Sequence, residues 1–146
     1  MMSIARHIPN ALTGCNLLSG CIGIALVFGG NPLHAALWLW AGALFDFLDG
    51  LVARLVKSST EFGKELDSLA DVVTFGVLPS SILFHYLYLD TQSGIAYAAW
   101  ALALFSALRL AKFNTDPRQQ DQFLWLPTPA SGIFVSSLPL VEYEYP

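Results

Sequence analysis

The chain alternates long apolar runs with short polar breaks. The first run covers residues 11–28, and Gly29, Gly30, Asn31 and Pro32 then supply turn chemistry. A second run covers residues 33–55 and is followed by the polar stretch KSSTEFGKE. A third helix is predicted from residue 61 to about 89: its beginning is acidic, the remainder is apolar, and Pro79 inside it predicts a kink. Asp90 to Gly94 read as a turn, residues 95–113 as a fourth run and NTDPRQQDQF as a polar loop. A fifth, shorter run covers residues 129–141. A membrane-spanning helix needs about 20 predominantly apolar residues, and the first four runs meet that length. The pattern therefore predicts an all-α, polytopic transmembrane bundle with about five spans in a single domain over residues 1–146. The fifth run is short for a span and the chain stops at EYEYP, so further C-terminal helices are expected beyond it.

Composition agrees with this pattern. Hydrophobic residues make up 55% of the 146 and charged residues 12%, with mean hydropathy +0.55. Soluble domains are closer to a quarter charged. Seven Lys and Arg residues cannot build a large basic patch, so no nucleic-acid partner is expected. Arg6, His7 and Pro9 before the first run raise the possibility of a secretory signal. Asn16 and Ser19 interrupt the run and no small-x-small cleavage site follows, so a span is the better reading. Cys15 and Cys21 lie about 120° apart on the same helix and read as packing residues.

The cations fix an orientation. Arg6 precedes the first span; Arg54, Lys57 and Lys64 surround the loop between spans two and three; Arg109, Lys112 and Arg118 surround the loop after span four. The two opposite turns have none. By the positive-inside rule the N-terminus and both charged loops face the cytoplasm.

Four carboxylates lie at that same side. Asp46 and Asp49 are three residues apart, Asp67 and Asp71 four apart, and both spacings place a pair on one helix face. Asp46, Asp49, Gly50, Ala53 and Arg54 fall within roughly 140° of one helix, and Gly63, Asp67 and Asp71 within roughly 80° of the next. Two helices joined by a short loop would thus face each other with four mutually repelling carboxylates. Divalent cations are the natural remedy, with hard oxygen ligands favouring Mg²⁺, Mn²⁺ or Ca²⁺. Two metals in such a site suit a phosphate or pyrophosphate, and the small residues on the same faces leave room for it. A single Asp would read as a helix cap meeting headgroup water; four at helical spacing do not, given the expense of ionisable groups at this depth.

The spacing D-x2-D-G-x2-A-R-x8-G-x3-D-x3-D, from Asp46 to Asp71, resembles the signature of the CDP-alcohol phosphatidyltransferase family, and all eight specified positions match. The resemblance implies six transmembrane helices, a frequent homodimer, and transfer of a phosphatidyl group from a CDP-linked lipid to an alcohol with release of CMP. It implies two divalent cations, Mg²⁺ or Mn²⁺, on Asp46, Asp49, Asp67 and Asp71, with Asp71 as general base. It places CDP against Asp46, Asp49, Gly50, Ala53, Arg54, Gly63 and Asp67. In HIPNALTGCN, Asn10 and Thr13 would also lie close to the nucleotide.

Two further stretches bear on the acceptor. RLAKFN, from Arg109 to Asn114, and the later LPTPAS resemble the serine-using subfamily, with Trp125 standing where Gly is expected. The resemblance implies CDP-diacylglycerol and L-serine as substrates, among membrane lipids, in a bacterial inner membrane with the active site facing the cytoplasm. Arg109 and Lys112, about 60° apart on their helix, could attract a serine carboxylate or a lipid phosphate, and Asn114 could hydrogen-bond a substrate. A phosphorylated acceptor, glycerol 3-phosphate or inositol phosphate, needs a richer set of cations than Arg109, Lys112 and Arg118 provide. The alternative from another class is a cation transport protein, which predicts carboxylates spread across membrane depth. A piece that binds nucleotide and metal without turnover is a further alternative. His85 reads as a packed histidine, and Trp38, Trp40, Tyr86 and Tyr88 as interface anchors.

Overall fold

The structure, a computed structural model, describes residues 7–56, 60–115 and 128–144. Every element in these residues is helical: α1 (Ile8–Phe28), α2 (Pro32–Val56), α3 (Glu61–Thr91), α4 (Gly94–Thr115) and α5 (Thr128–Glu144). The first four are long and apolar enough to cross a membrane, and α5 has a shorter apolar stretch, Pro129–Val141. The predicted runs sit inside these helices with end shifts of a few residues. Arg6, Lys57, Arg118 and Trp125 lie outside the described residues.

The helix ends follow the local sequence. Pro32 opens α2, where its missing N–H is harmless. Gly30 reverses the chain before it at φ +77, a conformation that favours glycine, and Asn31 Nδ2 donates to the Gly29 carbonyl at 3.0 Å. Thr60 caps α3 by accepting from the Gly63 N–H at 3.0 Å. Ser93 accepts from the Ile95 N–H at the start of α4.

Two irregularities depart from plain α-spans. In α3 the ladder widens into a π-helical stretch at Val72–Val77, just before Pro79. Pro79 cannot donate to the carbonyl one turn back, and the wider turn accommodates it. Ser80 and Ser81 hydroxyls donate to the Gly76 and Val77 carbonyls at 2.8 and 2.9 Å, so these polar groups are satisfied inside the bundle. The first seven residues of α4, Gly94–Trp100, are 3₁₀.

Small residues bring the helices close. A Cβ on Gly20 of α1 would lie 2.6 Å from Thr74 Oγ1, and one on Gly42 of α2 would lie 2.5 Å from Thr74 Cγ2. Thr74 of α3 therefore stands at the junction of three helices. On α4, Ser106 packs on Gly76, whose Cβ would lie 3.2 Å from the Ser106 Cβ, and α5 places Gly132 against the Phe75 backbone. Leu39, Phe75, Leu78 and Ile82 are fully buried at the centre, while Leu37, Trp40, Leu44, Phe47 and Leu51 of α2 point outward, as lipid-facing positions do. Trp38, Trp40 and Tyr88 are exposed and Tyr86 and His85 half-buried. Cys15 and Cys21 are free thiols.

Candidate active site

The end of the bundle where α2 stops and α3 starts gathers the acidic residues. One carboxylate oxygen from each of Asp46, Asp49 and Asp67 falls within 4.8 Å of the other two. Asp46 comes within hydrogen-bonding reach of both Asp67 and Asp71. Asp71 is thus joined to the trio through Asp46 and stands beside it, deeper in α3 and buried. The trio can hold a divalent cation. Its ligands are all hard oxygen donors, and Asp67 Oδ1 is buried without a hydrogen-bond partner, a position that a cation would satisfy.

Helix α1 orients two of these carboxylates. The Thr13 hydroxyl donates to Asp49 Oδ2 at 2.6 Å and lies 3.0 Å from the Pro9 carbonyl. Asn16, one turn further on, donates from Nδ2 to Asp71 Oδ1 at 3.3 Å. Asn16 is fully buried, its backbone carbonyl accepts from the Thr74 hydroxyl at 3.0 Å, and its own Oδ1 is unpartnered. In the sequence, Asn16 reads only as a polar interruption of the first span. The available signal was its i,i+3 spacing from Thr13, which puts both on one face.

A cleft of about 110 Å³ opens beside the carboxylates. Asn10 and Thr13 of α1, Asp49, Gly50 and Ala53 of α2, and Gly63 and Asp67 of α3 line it, as do Pro9, Thr60 and Lys64. A Cβ on Gly50 would meet open space, whereas one on Gly63 would lie 3.1 Å from Asn10 Oδ1. Arg54 is exposed and does not line this cleft. Asp46 reaches the carboxylate trio without lining the cleft.

The residues expected to meet the acceptor lie on α4. The Ser106–Gly76 contact sets α4 against α3, and one turn along from Ser106 the half-buried Arg109 enters the electrostatic field of Asp71. Lys112 is exposed. Asn114 Nδ2 donates to Ser68 Oγ at 2.9 Å, tying the end of α4 to α3.

Fold and site together define an integral membrane protein of helical spans that gathers carboxylates at one end of its bundle. The CDP-alcohol phosphatidyltransferase family model matches residues 6–142, and the chain belongs to that family. It is 36% identical over 140 residues to the CDP-diacylglycerol–serine O-phosphatidyltransferase of Helicobacter pylori strain J99, covering 94% of this chain and 59% of that protein. It is 35% identical over 129 residues to the protein of the same name from Bacillus subtilis, covering 88% and 72%. The archaetidylserine synthase of Methanothermobacter thermautotrophicus is 33% identical over 138 residues, covering 93% of this chain and 59% of that protein. The chain thus spans well under two thirds of several of the curated relatives it matches. No solved structure matches it significantly.

Proposed function

We propose that this chain carries the catalytic bundle of a CDP-diacylglycerol–serine O-phosphatidyltransferase, which makes phosphatidylserine and CMP. The observation that carries this reading is the convergence of Asp46, Asp49 and Asp67 beside a cleft lined by Asn10, Thr13, Gly50, Ala53 and Gly63. Relatives named for the serine reaction support the acceptor.

In this reading Asp46, Asp49, Asp67 and Asp71 would hold two divalent cations, Mg²⁺ or Mn²⁺, which when bound would offset charge developing on the phosphoryl oxygens and on departing CMP. Thr13 keeps the Asp49 carboxylate turned toward the trio by its 2.6 Å hydrogen bond. Gly50, Ala53 and Gly63 leave space for the cytidine diphosphate, and Asn10 and Thr13 supply polar groups beside it. Arg54 is exposed at the same end of α2 and serves the nucleotide only from outside the cleft. A serine hydroxyl is a weak nucleophile at neutral pH, so a base must take its proton. Asp71 does so, with Asn16 fixing its other oxygen. The serine oxygen forms a bond to the β-phosphorus of CDP-diacylglycerol, the bond to the bridging oxygen breaks, and CMP leaves with that electron pair. Arg109, Lys112 and Asn114 face the acceptor and its carboxylate. The bundle works in a bacterial inner membrane with this end toward the cytoplasm, as a homodimer.

The test is release of CMP by purified protein given CDP-diacylglycerol, L-serine and Mn²⁺. Serine-dependent CMP is expected. Folded protein that releases CMP only with glycerol 3-phosphate or an inositol phosphate would replace serine as the acceptor, and folded protein that releases none overturns the reading.

A further inference from the structure

A second cavity, of about 690 Å³, opens between α3 and the end of α4. It shares Lys64 and Asp67 with the nucleotide cleft and reaches Asp71. Its lining has a clear polarity. Glu61, Glu65, Ser68 and Asp71 come from one side of α3, and Leu110 and Phe113 of α4 make the apolar part. At about 100° per residue, Glu61, Glu65 and Ser68 fall within roughly 60° of α3, and Asp71 follows one turn below Ser68. Exposure falls along the stripe from Glu65 at the mouth, through half-buried Ser68, to buried Asp71. Glu65 and Asp71 are about 9 Å apart along the helix axis and about 120° apart around it, and both line this one cavity.

Ser68 is also informative. It accepts from Asn114 Nδ2, so its own O–H stays a donor and can meet an oxygen of a bound molecule. Asp67, on the shared wall, has a buried oxygen without a partner. Apart from Asp67 and Asp71, which the proposed function commits to cations, the lining presents Glu61 and Glu65 at its exposed mouth against one cation, Lys64. A dianionic phosphate entering here meets like charge, whereas an ammonium group meets charge of opposite sign.

We propose that this cavity holds the acceptor alcohol and that Glu65 binds its ammonium group, so that the acidic mouth of the cavity selects a zwitterionic amino alcohol over a phosphorylated one. The inference rests on the function proposed above. The hydroxyl lies toward Asp71, the ammonium toward Glu65, and the carboxylate toward Ser68 and the Arg109 side.

Steady-state CMP release by the purified protein tests it. Glu65→Gln keeps the size of the side chain and removes its charge. A charge-assisted hydrogen bond lost at a partly hydrated site predicts a serine KM raised about tenfold, with KM for CDP-diacylglycerol unchanged. Glu65→Asp should recover part of the loss, which a purely structural role for the side chain would not give. Ethanolamine, which lacks the carboxylate, should compete with serine in the wild type and lose potency in Glu65→Gln. Glycerate, which lacks the ammonium group, should compete better in the variant. Wild-type turnover with an unchanged serine KM in Glu65→Gln overturns the inference alone. Wild-type protein that releases no CMP with serine overturns the functional reading, and this inference with it.

Discussion

The Asn16–Asp71 contact shows how far a single residue can carry an argument. A buried amide that donates to Oδ1 of a carboxylate 55 positions away holds the orientation of Asp71. Asp71→Asn retains an acceptor for Asn16 and similar volume, so the fold should persist while the proposed base is lost. Turnover should fall by at least about a hundredfold, the lower range for removing a general base, with an unchanged circular dichroism spectrum. Asn16→Ala leaves Asp71 in place but unheld. It should lower kcat about tenfold, as misplacement of a catalytic group does, without raising KM for CDP-diacylglycerol; steady-state kinetics on both substrates separate this from general loss of fold. An Asn16→Ala protein with wild-type kcat would show that Asp71 needs no such support. At this scale the sequence was most legible for residues whose spacing repeats. The four Asp residues, Gly50, Ala53 and Gly63 could be assigned to two facing helices from periodicity. Asn16 and Ser68 could not be weighed, because each acts on a partner that only the folded chain brings near. The placement of Asp71 beside the trio, and of Arg54 outside the cleft, likewise depends on how the helices rotate, which spacing alone leaves open.

Between elements, contact depends on glycine at a few crossings. Gly42 leaves space that the Thr74 methyl fills, and Gly20 leaves space for the Thr74 hydroxyl and backbone. These are different obstacles and predict different genetics. Gly42→Ala should destabilise the bundle by about 1–3 kcal/mol through overpacking. Thr74→Ser, which deletes the methyl and keeps the hydroxyl bond to the Asn16 carbonyl, should restore much of it. Gly20→Ala should be destabilising by a similar mechanism, and Thr74→Ser should not rescue it, since the nearest atoms are the retained oxygen and the backbone. Thermal unfolding of the two double variants in detergent checks the contrast; equal rescue would mean that the helices shift apart freely. The existence and approximate limits of the first four helices are readable from apolar run length, because lipid demands that length, and α5 from its shorter apolar run. The π stretch at Val72–Val77 was foreshadowed by Pro79 but not its form, since a kink, a bulge or a serine back-bond can each relieve a proline. The 3₁₀ start of α4 had no sequence signal.

Across the whole molecule, chemistry and orientation are coupled. All four carboxylates and the described cations Arg54, Lys64, Arg109 and Lys112 occur where α2 ends, α3 begins and α4 ends, whereas the turns around Gly30 and Gln92 carry no Lys or Arg. A transport pathway would need ionisable groups spread across its depth; here the four carboxylates lie at one end, and the buried hydroxyls of Thr74, Ser80 and Ser81 are spent on backbone carbonyls inside the bundle. The 21 residues of α1 make a helix of about 31 Å at 1.5 Å per residue, close to the roughly 30 Å hydrocarbon core. Its two ends therefore lie at opposite membrane faces. If the cations set the orientation, the Gln92 turn lies outside and the end of α4 inside. With Cys15 and Cys21 replaced by Ser, a Ser93→Cys variant should react with a membrane-impermeant maleimide on intact spheroplasts. A Thr115→Cys variant should react only after permeabilisation. Both positions are exposed, so access to each is limited by the membrane and not by the protein. The opposite labelling pattern would put the carboxylates on the side away from the cytoplasm and overturn both the topology and the proposed cytoplasmic site.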